Sequence, residues 1–146
     1  MTAGPRVAPP GPELGFRIAT SAIFVVAGLG HLVRPEQMIH RVLEAPIGRA
    51  LATVLPLEPL MIESGVVLLL GGIALAVGYR TRVAAIALLL VLIPITIAAH
   101  VGHGNDPGPL LKNVALLGSL AHFIAVGAGR YSIDFKAGSP ARHGAR

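Results

Sequence analysis

The chain has 146 residues, the length of one domain, with 53% hydrophobic and only 13% charged residues. With glycine counted, about 65% of it is apolar against about 45–50% in a soluble domain, and the mean hydropathy of +0.72 excludes an ordinary soluble protein. The absence of cysteine excludes disulfides, thiolate-held metals and dithiol chemistry on the chain itself, while 12 basic against 7 acidic residues, scattered and without an aromatic platform, exclude a nucleic-acid surface.

Residues 1–15 contain Pro5, Pro9, Pro10 and Pro12, which predicts a disordered tail. Cutting the rest at its charges leaves four apolar stretches, 18–33, 60–79, 83–102 and 113–129. Slightly extended, each reaches about 20 residues, enough to cross about 30 Å of hydrocarbon as a helix. The first lacks a small-x-small cleavage site before His31 and Arg34, so it reads as an anchor rather than a signal peptide. Between the first two stretches, Met38, Ile39, Val42, Leu43, Ile47, Leu51 and Val54 recur at helical spacing against Glu36, His40, Arg41, Glu44 and Arg49. This predicts an amphipathic segment on the outer surface, broken in two at Pro46. Gly78 to Arg82 leaves only a tight turn, making the second and third helices antiparallel neighbours. The expectation is an all-α, four-transmembrane-helix bundle over 16–134, with a second disordered tail over 135–146.

Orientation follows from the basic residues. Arg6, Arg17, Arg80, Arg82, Arg130, Lys136, Arg142 and Arg146 fall on one side, and Arg34, Arg41, Arg49 and Lys112 on the other. The positive-inside rule then places both termini in the cytoplasm, in a multi-pass protein of the plasma membrane.

The same topology brings His31, Glu63, His100, His103, Lys112 and Asn113 to the outer end of the bundle. Helical spacing puts Arg17, Ser21, Phe24, Gly28 and His31 on one stripe of the first helix, and Thr96, His100 and His103 on one of the third. On the fourth, Lys112, Ala115, Ser119 and His122 share a stripe of small residues, expected to face the bundle. A charge at membrane depth costs about 2.5–3.5 kcal/mol, so Glu63 and Lys112 are expected to pair, to be neutral or to meet water. They read equally as a functional pocket and as a structural staple. His100 and His103, at i and i+3, are candidate ligands for haem, copper or zinc, with His31 or His122 completing the set, although packing histidines account for the same spacing. Pro94, in mid-helix, removes the hydrogen bond to the Leu90 carbonyl and predicts a kink or a widened cavity.

These residues resemble the DoxX family of small four-helix membrane proteins. The carriers are Ala27-Gly28-Leu29-Gly30-His31-Leu32 with Pro35, then Glu63-Ser64-Gly65 with Gly71-Gly72, Thr81-Arg82-Val83-Ala84-Ala85, Leu111-Lys112-Asn113, and the exit from Gly127 to Asp134. The resemblance spans Arg17 to Asp134 and implies a membrane subunit of an oxidoreductase, as in thiosulfate:quinone oxidoreductase, or a partner in thiol and oxidative-stress systems. Residue by residue it points to Glu63, Arg82, Lys112, Asn113 and Arg130; the histidines His100, His103 and His122 exceed what the family leads one to expect.

Three functions follow as expectations. In the first, Glu63, His31, His100, Lys112 and Asn113 bind a quinone or handle its protons for a redox partner, with Arg82, Arg130 and Pro94 structural. In the second, His31, His100, His103 and His122 hold haem or a metal in an electron carrier. In the third, the chain is a non-catalytic assembly subunit of a larger membrane complex, with self-association as a further option. No residue is assigned a catalytic role, and transport is disfavoured by the lack of internal repeats and discontinuous helices.

Overall fold

A computed structural model describes the backbone of residues 10–100 and 107–138 and the side chains of 11–98 and 107–136. Seven helices follow in order: α1 (Pro10–Val33), α2 (Pro35–Glu44), α3 (Pro46–Ala52), α4 (Leu57–Val77), α5 (Thr81–His100), α6 (Gly108–Val126) and α7 (Ile133–Gly138), with no strand among the described residues. Four of them are long and apolar enough to span a membrane, over Gly11–Val33, Leu57–Val77, Thr81–Ala98 and Gly108–Val126. Val26, Leu70, Leu90, Leu111 and Val114 are exposed along these spans, where lipid covers them. The expected four-helix membrane bundle is what forms.

The segment expected as a tail over 1–15 overlaps α1, which begins at Pro10. Prolines cost little in the first turn, where their missing N–H has no partner in any case, and Glu13 suits the positive end of the helix. The expected boundary after 134 falls inside α7. Residues 1–9 and 139–146, the remainder of both predicted tails, lie outside the described residues.

The spanning helices pack in chain order, α1 on α4, α4 on α5 and α5 on α6. Phe24, Leu68, Leu75, Leu88, Leu120 and Phe123 form the common core. α1 and α4 approach so closely that a Cβ at Gly28 would lie 2.5 Å from the Leu69 amide nitrogen and 2.8 Å from the Gly65 carbonyl oxygen. One at Gly72 would lie 3.0 Å from the Val25 amide nitrogen. This is small-residue packing of membrane helices, where close contact replaces the hydrophobic effect as the driving force.

The stripe predicted on α1 is correct, since Arg17, Ser21, Phe24, Gly28 and His31 are all buried. That predicted on α6 is displaced by one residue. Asn113, Leu116, Leu120 and Phe123 face the core, whereas Lys112, Ala115 and His122 are exposed and Ser119 is half-buried. The physical reason is that α6 meets α5 through large leucines and Phe123; the small residues making close contact are on α1 and α4.

α2 and α3 fold back over the end of the bundle where α1 stops. As predicted, Pro46 separates them, starting α3 after an extended Ala45 with φ −84° and ψ 141°. Val42 packs with Leu57 and Met61, flanked by Met38, Ile39, Ala52 and Leu60. Glu36, His40, Arg41, Glu44 and Arg49 stay on the exposed side, and His40 and Glu44 approach to 3.1 Å.

The opposite end is fastened by two charged side chains. The Arg17 guanidinium, itself buried, donates to the carbonyls of Ala76 (3.3 Å), Ala128 and Tyr131, joining α1 to the end of α4 and to the α6–α7 connection. Asp134 accepts from the Arg80 amide (2.7 Å), the Thr81 amide (2.8 Å) and the Thr81 hydroxyl (2.8 Å), capping α5 from a distant part of the chain. The turn needs that support: Gly78 takes the left-handed conformation (φ 68°), and Arg80 follows at φ 44°. A Cβ at Gly78 would also strike Ser132, at 2.4 Å from its Cβ.

Burial alone would push the Asp134 carboxyl up, but the hydrogen bonds from Thr81 and Arg80, with the charge of Arg17, outweigh it and hold it below its ordinary value of 3.8. Because the folded value is depressed, its contribution is present above that value and is lost as the pH falls below it. Asp134→Ala is therefore expected to cost about 1–2 kcal/mol at neutral pH. It should also flatten the acid limb of thermal stability below about pH 4, measured in detergent. Gly28→Ala should lower the unfolding midpoint by an overpacking cost of about 1–3 kcal/mol. Gly118→Ala, with nothing within 4 Å of its Cβ, should be neutral or stabilising.

Candidate functional site

α1 and α6 do not close on one another along the bundle. They meet through rings at the Arg17 end, where Phe16 stacks on Phe123 with centroids 5.1 Å apart and His122 stands edge-on to both. Toward the other end they part, and a cavity of about 1200 Å³ opens between α1, α4, α5 and α6 beneath α2. Its walls include Phe24, Leu68, Leu92 and Leu116 from the core and Ile23, Val26 and Leu90 from the exposed apolar surface, so the space continues to the lipid side.

Four of the expected residues, His31, Glu63, Lys112 and Asn113, line this one cavity, together with Arg41 and Glu44 of α2. Depth and topology placed them at one end; the gap between α1 and α6 gathers them around one space. Glu63 and Lys112 are exposed, and among the described residues no ion pair joins them, so of the three expected alternatives the mutual pair does not form there. Each sits one position before the buried residue of its helix, Ser64 and Asn113 respectively, and so meets the surroundings at the rim. Pro94 lines the same cavity, and α5 continues through it.

The two buried polar groups are fixed by their neighbours. His31 is 7% exposed, and its Nδ1 lies 2.9 Å from the Ser64 hydroxyl, which itself donates to the Met61 carbonyl at 2.9 Å. A serine has one proton to give, so His31 Nδ1 carries its own hydrogen and Nε2 is left as an acceptor. Asn113, 4% exposed, repeats the arrangement. Thr96 donates to the Leu92 carbonyl (2.6 Å), so it accepts from Asn113 Nδ2 (3.0 Å), and no hydrogen bond among the described residues reaches Asn113 Oδ1. Ser64 and Thr96 carry no site signal in the sequence, since a hydroxyl in an apolar helix reads as a back-bond to the preceding turn.

The haem or metal set is not assembled among the described residues, where no three of His, Cys, Asp or Glu come together. His122 contacts Phe16, fifteen residues before His31 on the same helix, so about 22 Å along the bundle separates the two histidines. The side chain of His100 and all of His103 lie outside the described residues.

Arg82 and Arg130 lie at the opposite end, with Arg80, around a shallower space of about 620 Å³. Arg82 donates to the Ala125 carbonyl at 3.3 Å, tying α5 to α6. Sequence reasoning assigned no role to the two residues that fasten this end, Arg17 and Asp134, although the first lay on the predicted buried stripe and the second closes the exit motif.

The protonation argument is testable on labelled protein. Nitrogen chemical shifts of His31 should report the Nδ1–H form in detergent at neutral pH. A dominant Nε2–H signal in the parent protein would refute the arrangement.

The DoxX family model matches residues 13–101, from the first turn of α1 to the end of α5. No curated protein and no solved structure matches the chain. The match leaves α6 and the exit segment aside, so Lys112, Asn113 and Arg130 stand outside it, while His31, Glu63, Arg82 and Pro94 stand within. It contains three of the four spanning helices and the α2–α3 cap, well over half of the sequence, and the chain belongs to the DoxX family.

Proposed function

We propose that this chain is a membrane subunit of an oxidoreductase system and links a redox partner to the quinone pool, with the cavity between α1 and α6 as its quinone site. The observation that carries the reading is the shape and lining of that cavity: an apolar body open toward lipid, ending in buried His31 and Asn113 with Glu63 and Lys112 at the rim. A quinone head with an apolar tail divides the same way, polar at one end and oily along the rest. About 1200 Å³ exceeds the range of about 300–1000 Å³ usual for small-molecule pockets, leaving room for part of the tail.

The residues fit the tasks such a ligand sets. A bound quinone supplies the electron-accepting chemistry; the chain supplies position and proton handling. His31, held through Ser64, presents an unprotonated nitrogen that can take up a proton from a quinol hydroxyl but has none to give, so the protons of quinone reduction would come from water at the rim beside Glu63. Apolar walls exclude competing water and select for a ligand already dissolved in lipid. Since electrons need a donor and the chain has no cysteine, the reading includes a protein partner.

Protein purified in mild detergent should carry quinone in constant ratio to protein. After delipidation, a short-tailed quinone should raise its unfolding midpoint. His31→Leu and Asn113→Leu each remove an acceptor from the cavity and are expected to weaken binding of the same compound in its reduced, hydroxyl-bearing form by about tenfold, the equivalent of one lost hydrogen bond, while Arg130→Gln leaves it unchanged. Protein that carries no quinone and is not stabilised by one would overturn the proposal in favour of an assembly subunit.

A further inference from the structure

We infer that the cavity takes the reduced, hydroxyl-bearing form of its ligand, an apolar-tailed hydroquinone, in preference to the oxidised quinone. The inference rests on the quinone-site reading above and adds which redox form the site is built to hold.

Of the three buried polar residues on the lining, His31 and Asn113 offer acceptors to a ligand, while Ser64 spends its proton on the Met61 carbonyl. Ser64 sends its only proton to the Met61 carbonyl, so His31 must donate through Nδ1 and keep Nε2 bare. Thr96 likewise sends its proton to the Leu92 carbonyl, so the Asn113 amide must turn Nδ2 toward it and leave Oδ1 without a partner among the described residues. These orientations are fixed independently on two sides of the cavity, by the α1–α4 contact and by the α5–α6 contact. A buried acceptor left unpaired is costly, so an occupant that brings donors is selected.

A quinone presents two carbonyl oxygens, which can only accept, and would set acceptor against acceptor at His31 and Asn113. A hydroquinone presents two hydroxyls and can donate at both. The other polar groups on the lining do not reverse this preference. Lys112, Arg41, Glu63 and Glu44 are all exposed, where water already serves them, and Glu44 also meets His40. Sites that hydrogen-bond a ligand hydroxyl reject analogues lacking it far more strongly than sites that merely enclose an extra methylene.

The test compares one short-tailed hydroquinone with its own oxidised form on the delipidated full-length protein in detergent, by calorimetric titration. Reductant can hold the ligand reduced without altering a disulfide, since the chain has no cysteine. Hydroquinone should bind at least about tenfold more tightly, the ratio corresponding to one satisfied acceptor. Asn113→Leu removes one of the two acceptors and should lower the ratio by weakening hydroquinone binding while quinone binding stands, an effect that loss of folding would not produce. Equal or tighter binding of the quinone to the parent protein would overturn the inference while leaving the quinone site standing. Binding of neither form would overturn both.

Discussion

Arg17 is the constraint on which the bundle depends. A buried guanidinium is costly unless its donors are satisfied, and here they are directed to three backbone carbonyls from two separate parts of the chain. The fork fixes where α1 begins relative to the end of α4 and to the exit from α6. Glu13 and Asp134 lie close enough to offset the charge, and Asp134 in turn caps α5. All four spanning helices are thereby tied together at one end by two side chains.

Fastening at one end leaves freedom at the other. α1 is held along α4 by the Gly28, Gly65 and Gly72 contacts, and α6 is held along α5 by leucines and Phe123, while among the described residues the ring contacts between α1 and α6 lie near Arg17. The helices part toward His31, and the α2–α3 cap covers the gap without filling it. The cavity is thus a product of unequal packing, glycine contact on one side and large side chains on the other.

Much of this was legible in the sequence because membrane helices announce themselves by length and apolarity, and the break at Pro46 by proline chemistry. The stripe from Arg17 to His31 was readable because polar and ionisable residues repeated at helical spacing in an apolar helix turn toward protein rather than lipid. The stripe on α6 was misread by one residue, since small residues favour helix contact only where two backbones come close, and that happens at α1–α4. The grouping of His31, Glu63, Lys112 and Asn113 followed from depth alone. What depth could not show is that Glu63 and Lys112 stay at the rim, or that Ser64 and Thr96 set the polarity of their neighbours, because those depend on single rotations about helix axes. The role of His122 as a ring edge-on to Phe16 and Phe123 requires the tertiary contact.

The hydrogen bonds of Arg17 end on main-chain oxygens, which every amino acid supplies in the same position. Tyr131, whose side chain is exposed, can therefore change identity without loosening the fork, whereas Ala128 is buried near Gly78 and Arg17 itself has no substitute with the same planar reach. At the Tyr131 end the interaction would leave no trace in paired substitutions. Methods that infer contacts from such paired changes would be blind there to the contact that fastens this end of the molecule.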